Sequence, residues 1–211
     1  LMAIFGPMMC KYSYAEQNMS LRNASPSMDH WFGTDRMGRD IFVRILFGAR
    51  ISLAVGCLAA VINLIVGTIY GGIAGYVGGK VDMVMMRIVD IIYSVPAMLY
   101  IVLIMLIFGA SVISIMLGIS ITCWIDMARI VRQQVKSLKE QEFTMAAFVL
   151  GASPSRILIK HLLINTMGQI IVTVTLMVPQ AIFTEAWLSF LGVGISAPMA
   201  SWGTLAQDAR Q

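Results

Sequence analysis

Charge is scarce in this sequence. Asp, Glu, Lys and Arg together make up 12% of its 211 residues, against about 25% in soluble domains, so an ordinary water-solvated globule is excluded. Cysteine is scarce as well. Three cysteines cannot build a disulfide framework, and Cys57 and Cys123 fall in apolar runs where a thiol behaves as a small hydrophobe, so nothing points to redox chemistry. No phosphate-cradling loop is present: the sole Gly-Lys pair, Gly79-Lys80, is followed by Val81, and Ala74 stands where the first glycine belongs. Gly192, Gly194 and Ala197 imitate a dinucleotide fingerprint, but no strand is expected ahead of them. The net charge of +4, from 15 Lys+Arg against 11 Asp+Glu, is spread over several loops. A dense basic stripe is missing, so nucleic acid is not an expected partner.

What the sequence has is apolar length. Hydrophobic residues make up 58% of the chain, above the 45–50% or so of soluble domains, and a spanning helix needs roughly 20 of them in a row. The runs 51–79, 91–125 and 161–184 contain no Asp, Glu, Lys or Arg. The middle run is too long for one span, and Phe108-Gly109-Ala110-Ser111 supplies a turn within it. The expected spans are therefore 51–77, 84–108, 112–132 and 162–186, with 133–161 as a polar loop between the last two. Residues 1–50 are read as the end of an earlier span plus an external segment, and 51–211 as the membrane domain. Leu1 to Met9, with no charged segment before it, is not read as a signal peptide. The lipid bilayer is the first expected partner.

Span parity places Lys80, Arg87, Arg129, Arg132, Lys136, Lys139, Arg156 and Lys160 on one side. Lys11, Arg22, Arg36, Arg39, Arg44, Arg50 and Arg210 fall on the other, eight against seven. The positive-inside tendency makes the first group cytoplasmic. His30 and His161 then lie on opposite sides, and no Cys–His cluster or set of convergent titratable groups supplies a catalytic centre or a metal site. No cofactor is expected.

Within the first span Gly67, Gly71, Gly75 and Gly79 recur every four residues and form one ridge. Small residues let a second helix approach closely in lipid, so the ridge reads as a packing surface or as a gating hinge. Pro96 and Pro179 each fall inside a span and free a carbonyl one turn earlier. Glu185, at the end of the last run, is an ionisable residue in an apolar setting and so a functional candidate. With Gly192 it forms a candidate external gate or turn.

The polar loop is too organised for a linker. Residues 140–150 are helix formers, Gly151 supplies a stop, and Ser153-Pro154 reads as an N-cap followed by proline at the first helical position. Ala146 and Ala147 flatten one patch of that short helix, Phe143 and Phe148 flank it, and a partner's groove would accept it closely. Glu142 favours the helix start.

These residues resemble the conserved cytoplasmic loop of ABC importer permeases, whose pattern is Glu-Ala-Ala, three residues, Gly, nine residues, Ile, one residue, Leu-Pro. Met145-Ala146-Ala147, Gly151 and His161-Leu162-Leu163-Ile164 keep that spacing, with Met145, His161 and Ile164 replacing the glutamate, isoleucine and proline. His161 with Asn165 is the form of the dipeptide and oligopeptide branch. The stretch from His30-Trp31-Phe32-Gly33-Thr34-Asp35-Arg36 to Gly48-Ala49-Arg50, the segment Glu185-Ala186-Trp187-Leu188-Ser189-Phe190-Leu191-Gly192, and Ser201-Trp202-Gly203 resemble the C-type permease subunit of that branch. The resemblance implies an all-α polytopic transmembrane bundle of the type I importer kind with a cytoplasmic coupling loop. Such subunits have six helices, so the chain reads as a fragment lacking most of the first and all of the last.

The resemblance further implies a non-enzymatic transport subunit. Its expected partners are a second permease, two cytoplasmic ATPase subunits and an extracytoplasmic substrate-binding protein, and its cargo di- or oligopeptides. Relatives carrying nickel, opines or glutathione leave the substrate open. An autonomous channel or membrane enzyme is the alternative of a different class. Coupling to the ATPase falls, by resemblance, to Ala146, Ala147 and Gly151, with Glu142, Phe143, Ser153, Arg156 and His161 around them.

Overall fold

The computed structural model describes residues 2–195 and 198–210; Leu1 and Ala197, named above, lie outside them. In chain order the helices are α1 (Met2–Met9), α2 (Ile41–Ile62), α3 (Thr68–Val77), α4 (Gly79–Tyr93), α5 (Ala97–Phe108), α6 (Val112–Thr122), α7 (Ile125–Lys139), α8 (Glu142–Val149), α9 (Pro154–Arg156), α10 (Ile164–Phe190) and α11 (Trp202–Arg210). Wider π turns, Asn63–Gly67 and Ile157–Leu163, join α2 to α3 and α9 to α10 without a break. Among the described residues, strand pairing is limited to one bridge between Thr34 and Asp40. Lipid offers no water to an unpaired amide, so apolar runs of this length must satisfy their backbone within helices.

Among the described residues three helical stretches are long and apolar enough to cross a membrane: Ile41–Val77, Val112–Lys139 and Pro154–Phe190. A fourth is broken: α4 and α5 meet at 71°. The sequence makes 84–108 one span with Pro96 inside it; the structure breaks that span into two helices. Pro96 lacks the amide and crowds the helical conformation of Val95, which ends α4 two residues earlier. Pro179 sits inside α10, which continues through it.

The other expected boundaries also shift, because a charge-free run is not the same thing as a helix. The first spanning helix starts at Ile41, ten residues before the expected Ile51: Arg50, which bounds the charge-free run, is exposed on it, and Arg44 inside it is neutralised by Asp35 and Asp208. The third stretch runs on to Lys139 as an amphipathic helix, and the fourth begins at Pro154 on its exposed, basic first turns.

The chain divides into two compact units, Leu1–Cys57 with Val102–Met116 and Gln180–Gln211, and Leu58–Ile101 with Leu117–Pro179. In the first unit, Asp40 caps α2. Its Oδ1 accepts the Val43 amide at 2.9 Å, and its Oδ2 lies 2.7 Å from Nδ1 of buried His30. Ser201 and Thr204 cap α11 reciprocally, each side chain bonding the other's amide at 3.2 and 2.8 Å. Gly203 lies so close to α10 that a Cβ there would fall 2.5 Å from the Ala186 Cα.

In the second unit, α3 packs along α7. The buried residues of α7, Met127, Val131 and Val135, continue into Ala147 of α8, Ile157 and Leu162 of the second π turn, and Ile170 of α10. That apolar face recurs at helical spacing, and Arg129, Arg132 and Lys136 occupy the other.

Candidate functional site

The loop helix α8 is anchored by two small residues. Thr144 is buried and its hydroxyl donates to the Leu138 carbonyl at 2.8 Å, at the end of α7. Ala147, one turn on, is buried in the core of the second unit. Spaced three apart, they share the inner face. The outer face carries Phe143, Met145, Ala146, Phe148, Val149 and Leu150, and the last three are 72%, 83% and 87% exposed.

The helix then stops at Gly151, whose φ of +78° suits glycine. The Ala152 amide reaches back to the Ala147 carbonyl at 3.0 Å and the Gly151 amide to that of Phe148 at 3.0 Å, closing the end. Ser153 is extended ahead of Pro154, but its hydroxyl lies 3.4 Å from that of Ser155 and caps no amide, so the expected side-chain N-cap is absent. Glu142 and Arg156 are exposed. His161 is half-buried in the π turn, where its carbonyl accepts the Asn165 side-chain amide.

The sequence puts Ala146 and Ala147 in one flat patch of the helix; the structure separates them. Successive helical residues are about 100° apart, and only Ala146 faces outward. The exposed aliphatics Met145, Val149 and Leu150 were missed. Their signal was present: Phe148-Val149-Leu150 are three successive apolar residues ahead of a glycine stop, and no helix of this pitch turns all three towards one core.

The glycine ridge keys α3 to α7. A Cβ on Gly67 would meet Met127 Cβ at 2.6 Å, one on Gly71 the Ala128 carbonyl oxygen at 2.3 Å, and one on Gly75 the Arg132 carbonyl oxygen at 2.7 Å. Gly79 departs from the expected ridge. It opens α4 with φ +56° and has nothing within 4 Å of its Cβ position, because Gly78 ends α3 and turns the chain. At the level of the first π turn, buried Asn63 donates to the Cys123 carbonyl at 2.6 Å, where α6 gives way to α7.

α7 is also tied to α4 by charge. Asp82 is buried and receives Arg132 Nη2 at 2.6 Å and Lys136 Nζ at 3.3 Å, while Arg129 Nη2 donates to Asp90 at 2.8 Å. The Arg129 guanidinium lies 4.3 Å from the centre of the Tyr93 ring.

Glu185 does not hold the turn directly. It lies within α10, fully buried, with its carboxyl oxygens bonded to Ser52 Oγ at 3.0 Å and Ser189 Oγ at 2.8 Å. The turn belongs to Gly192, at φ +82°, whose amide bonds the Ser189 carbonyl while that of Val193 bonds Leu188. In the same unit, Arg39 and Arg44 converge on Asp35 and Asp208. Burial opposes ionisation of Asp35, but the Arg39 amide and guanidinium and the Met37 amide outweigh it and hold the carboxyl below its ordinary range. Among the described residues no three His, Cys, Asp or Glu gather where a metal ion would bind.

Residues 67–209 match the family model described as binding-protein-dependent transport system inner membrane component. The oligopeptide transport system permease protein OppC of Bacillus subtilis (strain 168) is 53% identical over 99% of this chain and 68% of its own length. The dipeptide transport system permease protein DppC of the same organism is 50% identical over 99% and 65%, and OppC of Escherichia coli (strain K12) 45% over 99% and 70%. The chain thus spans about two thirds of the length of these relatives. The family match over most of the chain, and relatives this similar across nearly all of it, establish that the chain belongs to the binding-protein-dependent transport system inner membrane components.

Proposed function

We propose that this chain is the permease subunit of an ATP-driven importer of dipeptides or oligopeptides, and that α8 is the element through which a separate ATPase moves it. The observation that carries the reading is the outer face of α8. Phe148, Val149 and Leu150 stand exposed on a short helix whose inner face is fixed by Thr144 and Ala147. Exposed apolar patches mark interaction sites, and the charged residues Glu142, at the start of α8, and Arg156, beyond its end, are exposed as well.

The rest of the second unit suits transmission of force. α8 joins α7 across two residues, α7 is keyed to α3 at the glycines, and α4 is held by ion pairs, so a push on α8 is passed on by packed helices. Two ATPase subunits, a second permease and an extracytoplasmic binding protein complete the machine. Dipeptides and oligopeptides are favoured over nickel, opines or glutathione by the names of the relatives at 44–53% identity. The setting is a bacterial or archaeal inner membrane.

The test is affinity capture of the full-length protein from its native membranes in mild detergent, with Leu150→Arg as the variant. Leu150 touches little of its own chain, whereas an arginine at Gly151 would also strain the left-handed backbone. The expected result is an ATPase subunit retained by the wild type and lost from the variant. An ATPase retained equally by both removes α8 as the coupling element, and none retained by either removes the importer reading.

A further inference from the structure

On the second unit, α4 and α7 enclose a cleft of about 620 Å3 lined by Met86 and Asp90 from α4 and by Arg129, Arg132, Gln133 and Lys136 from α7. Its charges do not cancel. The three cations face two carboxylates, Asp82 and Asp90, and Asp82 is only 5% exposed and already engaged by Arg132 and Lys136. The ion pairs also leave donors over. Arg129 uses one terminal nitrogen on Asp90, Arg132 uses Nε and Nη2 on Asp82, and Lys136 makes one long bond. The three side chains remain 36%, 31% and 48% exposed, and the Gln133 amide adds an uncharged donor beside them.

From α4, Met86 lines the cleft and exposed Met83 lies one turn before it on the same side, whereas Val84, Ile88 and Ile91 are exposed round the helix, beyond Arg87. Residual positive charge, unspent N–H groups and the adjoining methionines Met83 and Met86 match a ligand that joins a phosphate to acyl chains. We propose that the cleft binds the phosphate headgroup of an anionic phospholipid, with Arg129 and Lys136 as its main contacts and Met83 and Met86 of α4 towards the acyl chains. Basic pockets between membrane helices on the cytoplasmic side suit such headgroups, and the proposal rests on the reading above that this end of the bundle is cytoplasmic. A bound phosphate brings a third negative group to the cations that clamp α4 against α7, one helix away from the coupling surface.

The test uses the full chain in nanodiscs of phosphatidylglycerol and phosphatidylcholine, with retained lipid read by native mass spectrometry. The wild type is expected to retain phosphatidylglycerol preferentially. Arg129→Gln/Lys136→Gln removes the two contacts while Arg132 still neutralises Asp82, and weakens the preference roughly fivefold per lost charge. Asp90→Asn acts in the opposite direction: it removes a negative charge at a half-exposed position and strengthens retention. Opposite shifts from two variants of the same cleft cannot come from misfolding. Retention unchanged in the double variant, or lowered in Asp90→Asn, overturns the proposal. So does displacement of phosphatidylglycerol by millimolar inorganic phosphate, which would mark a soluble-anion site. Both leaflets carry the same lipid and no ATPase is present, so the result does not depend on the capture experiment, which tests the coupling reading separately.

Discussion

Ser52 Oγ donates to Glu185 Oε2 at 3.0 Å, although 133 positions separate the two in the sequence. The same hydroxyl accepts the Trp202 amide at 3.3 Å, and Ser189 Oγ fills the other oxygen of Glu185 at 2.8 Å. One fully buried carboxyl thus ties α2, α10 and the first residue of α11 together without a cationic partner among those bonds. Glu185→Ala strips the acceptor from two buried hydroxyls and is expected to destabilise the protein by about 2 kcal/mol, whereas Glu185→Gln keeps an acceptor oxygen and costs less than half of that. Thermal unfolding in detergent separates them; equal losses would assign the effect to the negative charge and not to the hydrogen bonds.

Neighbouring glycines of α3 are expected to differ sharply. At Gly71 a Cβ would lie 2.3 Å from the Ala128 carbonyl oxygen and 2.9 Å from its Cα, both backbone atoms that cannot step aside. At Gly72 the nearest atom is a flexible methyl of Leu163 at 3.5 Å, an ordinary contact. Gly71→Ala should therefore force α3 off α7 and lower the unfolding temperature by several degrees. Gly72→Ala should be neutral or gain up to about 1 kcal/mol from helix propensity. Comparable losses at both positions would show that α3 and α7 are not in backbone contact.

The ridge was legible because a four-residue spacing of glycine has few uses in lipid, and the loop helix because helix formers ended at Gly151. What charge counting could not see was neutralisation. Arg50 marks the boundary of the charge-free run, yet the helix begins nine residues before it, and Arg44 inside it pairs with Asp35 and with Asp208, the latter 164 positions away. Asp82 and Asp90 likewise find their cations only where α7 packs beside α4, on residues 39 to 54 positions later. The two alanines of α8 failed for a different reason: adjacent positions on a helix point in different directions, and only the packing of Thr144 decides which one goes inside.

Acid should loosen the junction around Asp35. Its carboxyl is held below the ordinary value of 3.8, so the ionised form is favoured in the folded state. A depressed carboxyl stabilises fully above the unfolded-state value and progressively less as pH falls through the folded-state value. The loss is thus confined to pH below about 3.8. Hydrogen exchange should show the amides of Met37 and Arg39, which bond this carboxylate at 2.8 and 3.0 Å, protected at pH 5 and exposed in stronger acid. Asp35→Asn should expose them at both values.

The two adjacent alanines of α8 make the sharpest test of the coupling surface. Ala147 is buried against Ile157, Leu162 and the α7 face, so Ala147→Arg places a charge in that core and should abolish insertion or fold. Ala146 is exposed and packs against none of these residues, so Ala146→Arg should leave abundance and unfolding temperature unchanged. If α8 docks into a groove on an ATPase, the same Ala146→Arg must also abolish ATP-driven uptake of a labelled dipeptide into proteoliposomes carrying the assembled transporter, because a long cation cannot enter a groove shaped for a methyl group. Uptake at wild-type rates from Ala146→Arg would place the docking surface elsewhere on the loop. Loss of fold from Ala146→Arg would mean that both alanines belong to the core, and that Phe148, Val149 and Leu150 alone face the partner.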